Sequence, residues 1–392
     1  MKPLALGIGL FGAVMLGCAG LLSLARVQAR ADLTALAFTE GTYRQADVYV
    51  LWPGAHTAEP FTQSPTIAES DLRFTQDGSA LYYRELPLRP GSPPSLIRHP
   101  LNSAPRTLFP VDESAILLGY DQPARGEDLL LQVRTLGINN PARLQYADAP
   151  RAVAWPGVEP VGPMPALSPD GARLAFVAQS EDQSRTELHI AGPGGTVAHA
   201  DAPPPFLSRD FPLLWSPSGD WVAFGGYTQA EQRIHIYLAS ADGGRARQLS
   251  DGSARDVPWA WSPDGDWVYF LRMQAPGNTQ ADLGGVYRAR ADGGTPPQNL
   301  LHNPGGPVSA PGWLYFSTGM VGSEVTARVF NQQYGIYRMR TNGADVTRVI
   351  ETQSGVGRVV ASPPLGRRWR GWPLGVLGIA SLAVAVREWR RV

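Results

Sequence analysis

The stretch AWSPDGDWVYF, residues 260–270, sets a proline, an acidic residue and a glycine between two aromatic-rich runs. Proline presets φ for a turn, aspartate bonds back to the main chain, and glycine accepts a positive φ. The phrase is not alone. PALSPDGARLAFVA begins at Pro165, PLLWSPSGDWVAFGG at Pro212 and PVSAPGWLYFST at Pro307. The prolines in register, Pro169, Pro217, Pro263 and Pro311, are spaced by 48, 46 and 48 residues. A period of roughly 40–50 residues with several short strands per unit marks a β-propeller.

Each unit reads as four antiparallel strands. An apolar strand ends in Trp-Ser-Pro or a relative, and a tight turn leads to a strand such as LAF, VAF or VYF. A variable loop follows, then a third strand (ELHI, IHIYLA, GVYRAR, GIYRMR) and a glycine turn into a fourth (ARQLS, VTRVI). RFTQDGSALYYR, residues 73–84, is a good further copy, and PVDESAILLGYD, residues 110–121, a degenerate one, with DLLLQVRTLG and ARLQ as its next strands. LAF-like second strands fall at residues 36–38, 81–83, 116–118, 174–176, 222–224, 268–270 and 314–316. They predict an all-β fold: a propeller of seven four-stranded blades over residues 32–363, with six as the alternative if the degenerate unit is a loop.

The first unit lacks a leading Ser-Pro strand, and GRVVASPPL, residues 357–365, has that strand and nothing after it. The two fragments complement each other. Residues 35–62 are therefore expected to supply three strands of one blade and residues 358–362 the fourth, hiding the sheet edges.

The phrases Ser168-Pro169-Asp170-Gly171, Trp215-Ser216-Pro217-Ser218-Gly219 and Trp261-Ser262-Pro263-Asp264-Gly265 resemble the TolB-type propeller repeat (WD40-like), also met in propellers of prolyl-oligopeptidase-type peptidases. The resemblance spans roughly residues 32–363 and speaks for fold more than function. TolB itself has six blades after a separate α/β domain, for which this chain has no room, so the chain is not TolB itself. TolB-type repeats imply an extracytoplasmic disc.

The acidic turn is expected to be a corner and not a site. Blades would set its aspartates at successive angles around a ring, and Ser218 and Pro364 replace the acid in two copies. No G-x-S-x-G, H-E-x-x-H, P-loop or EF-hand spacing occurs in the propeller, so neither catalytic residues nor a cofactor are expected. His189 and His235 read as one position of neighbouring third strands, a conceivable two-histidine metal site without evident acidic partners. Trp215 and Trp261 read as blade packing.

The Asp-Gly and Gly-Gly turns are short, so their face of the disc should be smooth. The loops between second and third strands, up to residues 318–335, fall on the other face, and long loops on a rigid scaffold carry recognition. Tyr43 and Arg44 sit in one such loop; Arg328, Phe330, Asn331 and Tyr334 sit in the longest, on the blade that closure makes adjacent. Aromatic and arginine side chains concentrate binding energy. These six form the candidate binding patch for a protein or small-molecule ligand.

Residues 3–25 carry no charge, and about 20 such residues span a bilayer core as a helix. An uncleaved anchor over residues 1–30 is expected, with VQA and ARA at 27–31 as cleavage sites in the signal-peptide alternative. Residues 371–386 are apolar, bracketed by Trp372 and Trp389 and flanked by arginines, which predicts a second membrane helix within 367–392, or a surface-lying one. Cys18, the single cysteine, excludes an intrachain disulfide framework. Formal net charge is zero, which removes an electrostatic argument for nucleic acid. The whole reads as a membrane-anchored, non-catalytic binding scaffold held in lipid by both terminal helices. A metal-assisted hydrolase or lyase at the central channel and a sensor coupled to its helices are the alternatives.

Overall fold

The computed structural model describes residues 34–365, apart from 43–44, 65–66, 88–93, 110–114, 123–128, 136–141, 148–160, 162–163, 181, 183, 193–196, 202–205, 208–210, 228–232, 251–254, 274–284, 303–307, 311–312, 318–334, 353–355 and 364. Among the described residues all regular structure is β, arranged as seven sheets in an all-β propeller. The sheet holding the opening phrase is typical. Arg255–Trp261, Trp267–Met273, Gly285–Arg290 and Gln298–His302 pair antiparallel in that order.

The Ser-Pro-Asp-Gly phrase is the corner between first and second strands. In the copy at 168, the buried Ser168 hydroxyl donates to Asp170 Oδ1 (2.5 Å) and accepts the Arg173 N–H (2.9 Å). The Gly171 N–H donates to the Ser168 carbonyl (2.8 Å), and Gly171 adopts φ 73°. Thr75 with Asp77, Ser216 with Ser218 and Ser262 with Asp264 repeat the arrangement. In the three copies that carry an acid, Asp77, Asp170 and Asp264, it is consumed inside its own turn. Its hydrogen bonds, the Ser168 hydroxyl foremost, hold the Asp170 carboxyl below the usual range.

The ring is closed as the sequence predicts. Val356–Ala361 pairs antiparallel with Leu36–Thr42, which pairs with Gln45–Leu51 and then Glu59–Pro60. At the end of the seam the Ala35 N–H donates to Ser362 Oγ (2.9 Å), and the Ser362 N–H returns to the Ala35 carbonyl (2.8 Å). Beyond it, buried Leu365 covers Gly78, the corner glycine of the second sheet. A Cβ at Gly78 would lie 2.6 Å from Leu365 Cδ2, so that corner needs glycine for space as well as for its φ of 68°.

Among the described residues seven hydrophobic clusters each join two successive sheets, and the one around Leu36, Phe38, Ile336 and Val359 joins the seventh sheet to the first. Within the blades a cross-strand aromatic pair recurs: Phe38 with Tyr49, Phe176 with His189, Phe224 with Tyr237 and Phe270 with Tyr287, centroids 5.3–5.8 Å apart. Fully burying a ring of this size stabilises by roughly 1.5–3 kcal/mol, so the recurrence supplies much of the core.

Six sheets carry four or more strands, which is the alternative count from the sequence; the third has three among the described residues. There the strand assignment changes. The sequence assigns residues 116–118 to a second strand, but Ala115–Asp121 is the first, paired with Leu130–Thr135 and then Ala142–Tyr146. Asp121 stands 46 residues after Thr75 and 47 before Ser168, in register with the corner residues. Arg73 donates to its carboxylate from the first strand of the second sheet, and the Leu167 N–H donates to it from that of the fourth (2.8 Å). Without a Ser-Pro phrase, the register of this unit is invisible in the sequence.

No helix long and apolar enough to cross a membrane occurs among the described residues. Both apolar termini lie outside them.

Trp261 Nε1 donates to the Leu214 carbonyl of the preceding sheet (2.9 Å). Trp261→Phe keeps an aromatic side chain but removes the indole donor, so the urea midpoint should fall by the equivalent of about 1–2 kcal/mol. Gly265→Ala, at φ 79°, should fall by about 1 kcal/mol through backbone strain, with an unchanged m-value in both cases.

Candidate functional site

The six patch residues, Tyr43, Arg44, Arg328, Phe330, Asn331 and Tyr334, lie outside the described residues. Their flanking strands are described. Tyr43 and Arg44 join Leu36–Thr42 to Gln45–Leu51, and residues 318–334 join Trp313–Ser317 to Gly335–Arg340. Closure makes these two hairpins part of neighbouring sheets, packed together through Phe38 and Ile336.

The histidine reading is corrected. His189 faces Phe176, whereas His235 faces Gly226, and the counterpart of His189 is Tyr237, opposite Phe224. A two-residue shift of register separates the imidazoles; they share no repeat position. Among the described residues no group of three or more His, Cys, Asp or Glu is spaced to hold a metal ion. Trp215 is part of the packing: Nε1 donates to the Ala166 carbonyl (2.9 Å), and the Arg173 guanidinium lies 5.2 Å above its ring. Tyr120 holds the same position in the third sheet, its hydroxyl donating to the Asp71 carbonyl.

One polar position in the repeat stands out once the units are aligned on their corners. Six residues before the corner and ten after it, the first and second strands place two side chains directly opposite each other. In the sixth sheet these are Asp256 and Arg272. Asp256 is fully buried, and Arg272 Nε and Nη2 grip its two oxygens at 2.8 and 3.0 Å. The guanidinium also lies 4.4 Å from the Tyr287 centroid and 5.7 Å from that of Phe270. This is a bidentate, ring-stacked ion pair with both partners supplied by one blade.

In the second sheet the same two places hold Glu69 and Glu85. Glu69 is 2% exposed, and neither carboxylate oxygen makes a well-formed hydrogen bond; the Thr62 and Ser64 hydroxyls approach it only loosely. Burial foremost, then the field of Asp47, raises its pKa to about 7; the Thr62 and Ser64 hydroxyls offset part of this and Glu85 adds to it. Asp47, on the third strand of the first sheet, accepts the Ser64 N–H (2.8 Å). Tyr83, at the place of Phe270, bonds through its hydroxyl to His99 Nδ1 (3.2 Å), and Phe61 packs on the imidazole at 4.1 Å. Burial lowers the pKa of His99. The seam between first and second sheets thus holds three carboxylates and, among its described residues, no counterpart of Arg272. The sequence carries the signal: the copies aligned on Thr75 and Ser262 show Glu/Glu against Asp/Arg.

A carboxyl whose pKa is raised on folding contributes stability below its unfolded value, and that contribution is lost as pH rises through the folded value. The stability of the wild type should therefore decline between pH 4.5 and about 7, by up to about 3 kcal/mol. Glu69→Gln should flatten this slope in urea titrations across the window, and an unchanged slope would refute the assignment to Glu69.

By sequence, the chain matches no family model and no curated protein. By structure it is similar to an oligogalacturonate lyase in complex with manganese: 13% identity, 74% of this chain and 83% of that one covered, TM-score 0.54. It is also similar to the oligogalacturonate lyase of Vibrio parahaemolyticus, with 12% identity, 72% and 87% coverage and TM-score 0.50. TolB from Acinetobacter baumannii matches at 12% identity and TM-score 0.48, over 84% of this chain and 66% of that one. At such identities the likeness to the two lyases speaks for the fold alone, a β-propeller.

Proposed function

We infer that the protein is a membrane-anchored, seven-bladed propeller that works as a non-catalytic binding scaffold, its disc extracytoplasmic and its long-loop face the recognition surface. One observation carries this reading. The acidic groups that the repeat offers most often are spent inside their own corners, as Asp170 and Asp264 are on Ser168 and Ser262. The connections at the opposite ends of the strands are where the repeat stops dictating sequence, and a rigid ring presenting variable loops is the usual design of a recognition surface. The apolar segments at residues 3–25 and 371–386 would hold the disc at the bilayer.

The patch of Tyr43, Arg44, Arg328, Phe330, Asn331 and Tyr334 is the proposed contact surface, since closure sets its two hairpins in neighbouring sheets. A photoreactive residue at position 330, activated in intact membranes, should capture one discrete protein or ligand, and Arg328→Ala with Tyr334→Ala should reduce capture about tenfold or more. Capture of lipid alone at position 330, with a protein captured from the corner face instead, would assign recognition to the wrong face. Alkaline carbonate should leave the full chain in the membrane pellet.

A further inference from the structure

Beyond the loop patch, the blades compared with one another reveal a vacant partner position. The repeat builds one polar socket twice. In the sixth sheet Asp256 is matched by Arg272, whose guanidinium is stacked against Phe270 and Tyr287. In the second sheet the carboxylate (Glu69) and one of the two rings (Tyr83 in place of Phe270) are kept, while Ile97 stands where Tyr287 does. The residue that supplies the guanidinium is replaced by a second acid, Glu85, and a third, Asp47, stands nearby on the first sheet.

A buried carboxylate held only by the loose approach of two hydroxyls is costly, and like charges directly opposite on a sheet repel. Burial alone would have favoured an apolar residue at 69, and pairing alone would have favoured arginine at 85. Two carboxylates against a tyrosine ring have the composition that a planar cation fits: bidentate hydrogen bonds on one side and a π-face on the other. A hard divalent ion fits less well, since no group of three or more acidic or histidine side chains among the described residues is spaced to hold one.

We propose that Glu69, Glu85 and Asp47, with Tyr83 as the wall, form a binding socket for a guanidinium group presented from outside the chain, an arginine side chain of a partner, which takes the position that Arg272 fills from within in the sixth blade. Glu85 and Asp47, both partly exposed, are the side from which it enters. The groups facing Glu69 are these two acids, the Tyr83 hydroxyl, its partner His99 and the hydroxyls of Thr62 and Ser64. Affinity should rise with pH as Glu69 loses its proton.

The test is the thermal unfolding of the full-length protein in detergent micelles, with arginine methyl ester at millimolar concentration as the probe. At about pH 8 the wild type should gain about 2–4 °C, and the gain should shrink at about pH 5. Glu69→Gln, which keeps shape, should abolish the gain. Glu85→Arg rebuilds the pair of the sixth blade, so it should raise the basal midpoint and also abolish the gain; because this variant is stabilised, loss of response cannot be ascribed to misfolding. An equal gain in wild type and Glu69→Gln would overturn the proposal, as would a gain from calcium or manganese chloride and none from the ester. If the wild type shows no gain but Arg44→Gln or Arg328→Gln creates one, the guanidinium is the chain's own and the external partner is disproved. None of these outcomes depends on whether residue 330 captures a partner.

Discussion

The antiparallel pairing of Val356–Ala361 with Leu36–Thr42 is the constraint on which the ring depends. Each sheet buries its faces against its neighbours, so a propeller cut anywhere exposes two apolar faces at once. Bringing together strands more than 300 residues apart in sequence carries an entropic cost, but that cost grows only logarithmically with loop length, at about 0.6 kcal/mol per doubling. The interface gained is much larger. Phe38 and Leu36 pack on the seventh sheet, while Ala37 and Val360 pack on the second. One blade thus seals two interfaces, and its opening and closing strands interlock at Ala35 and Ser362.

Polar contacts then fix the angle between blades. Tryptophans 215 and 261 each donate to the preceding first strand, and arginines clasp the blade that follows. Arg84 donates to the Leu117 carbonyl, Arg173 to Gly219, Arg247 to Asp292 and Arg288 to Thr341. Arg247 and Arg288 also lie over the rings of Trp221 and Trp267, 5.0 and 3.9 Å from their centroids. A planar guanidinium can stack and donate at once, which a lysine ammonium cannot do as well. Arginine is also nearly the whole basic complement of the chain, Lys2 being the one lysine. The Glu69 seam departs from this pattern: there, among the described residues, the blades meet through acids, and Glu85 stands where the sixth sheet has Arg272.

The legible part of the sequence was its punctuation. Ser-Pro-Asp-Gly reports a corner because each residue is needed for a backbone bond or a φ value, and the split first unit announced closure because a four-strand grammar leaves a remainder. Where punctuation is lost, register is lost with it. Asp121 replaces the corner serine without the proline or glycine, so the third unit slid by one strand in the sequence reading. His189 and His235 look equivalent along the chain, yet only pairing with Phe176 and Gly226 shows them two residues apart. Glu69 and Glu85 escaped notice for a different reason. Isolated acids on strands look like solvent-facing residues, and only cross-strand register turns two of them into one buried site.

Cross-linking across the closing seam tests the ring most directly. With Cys18 replaced by serine, cysteines at 37 and 360 face each other in register, so mild oxidation should join peptides from the two ends of the chain in the monomer. Cysteines at 37 and 356, three residues out of register, should remain thiols. Cross-linking only between separate chains, or none at 37 and 360 under conditions that oxidise a control pair within the sixth blade, would mean that the last strand does not close on the first.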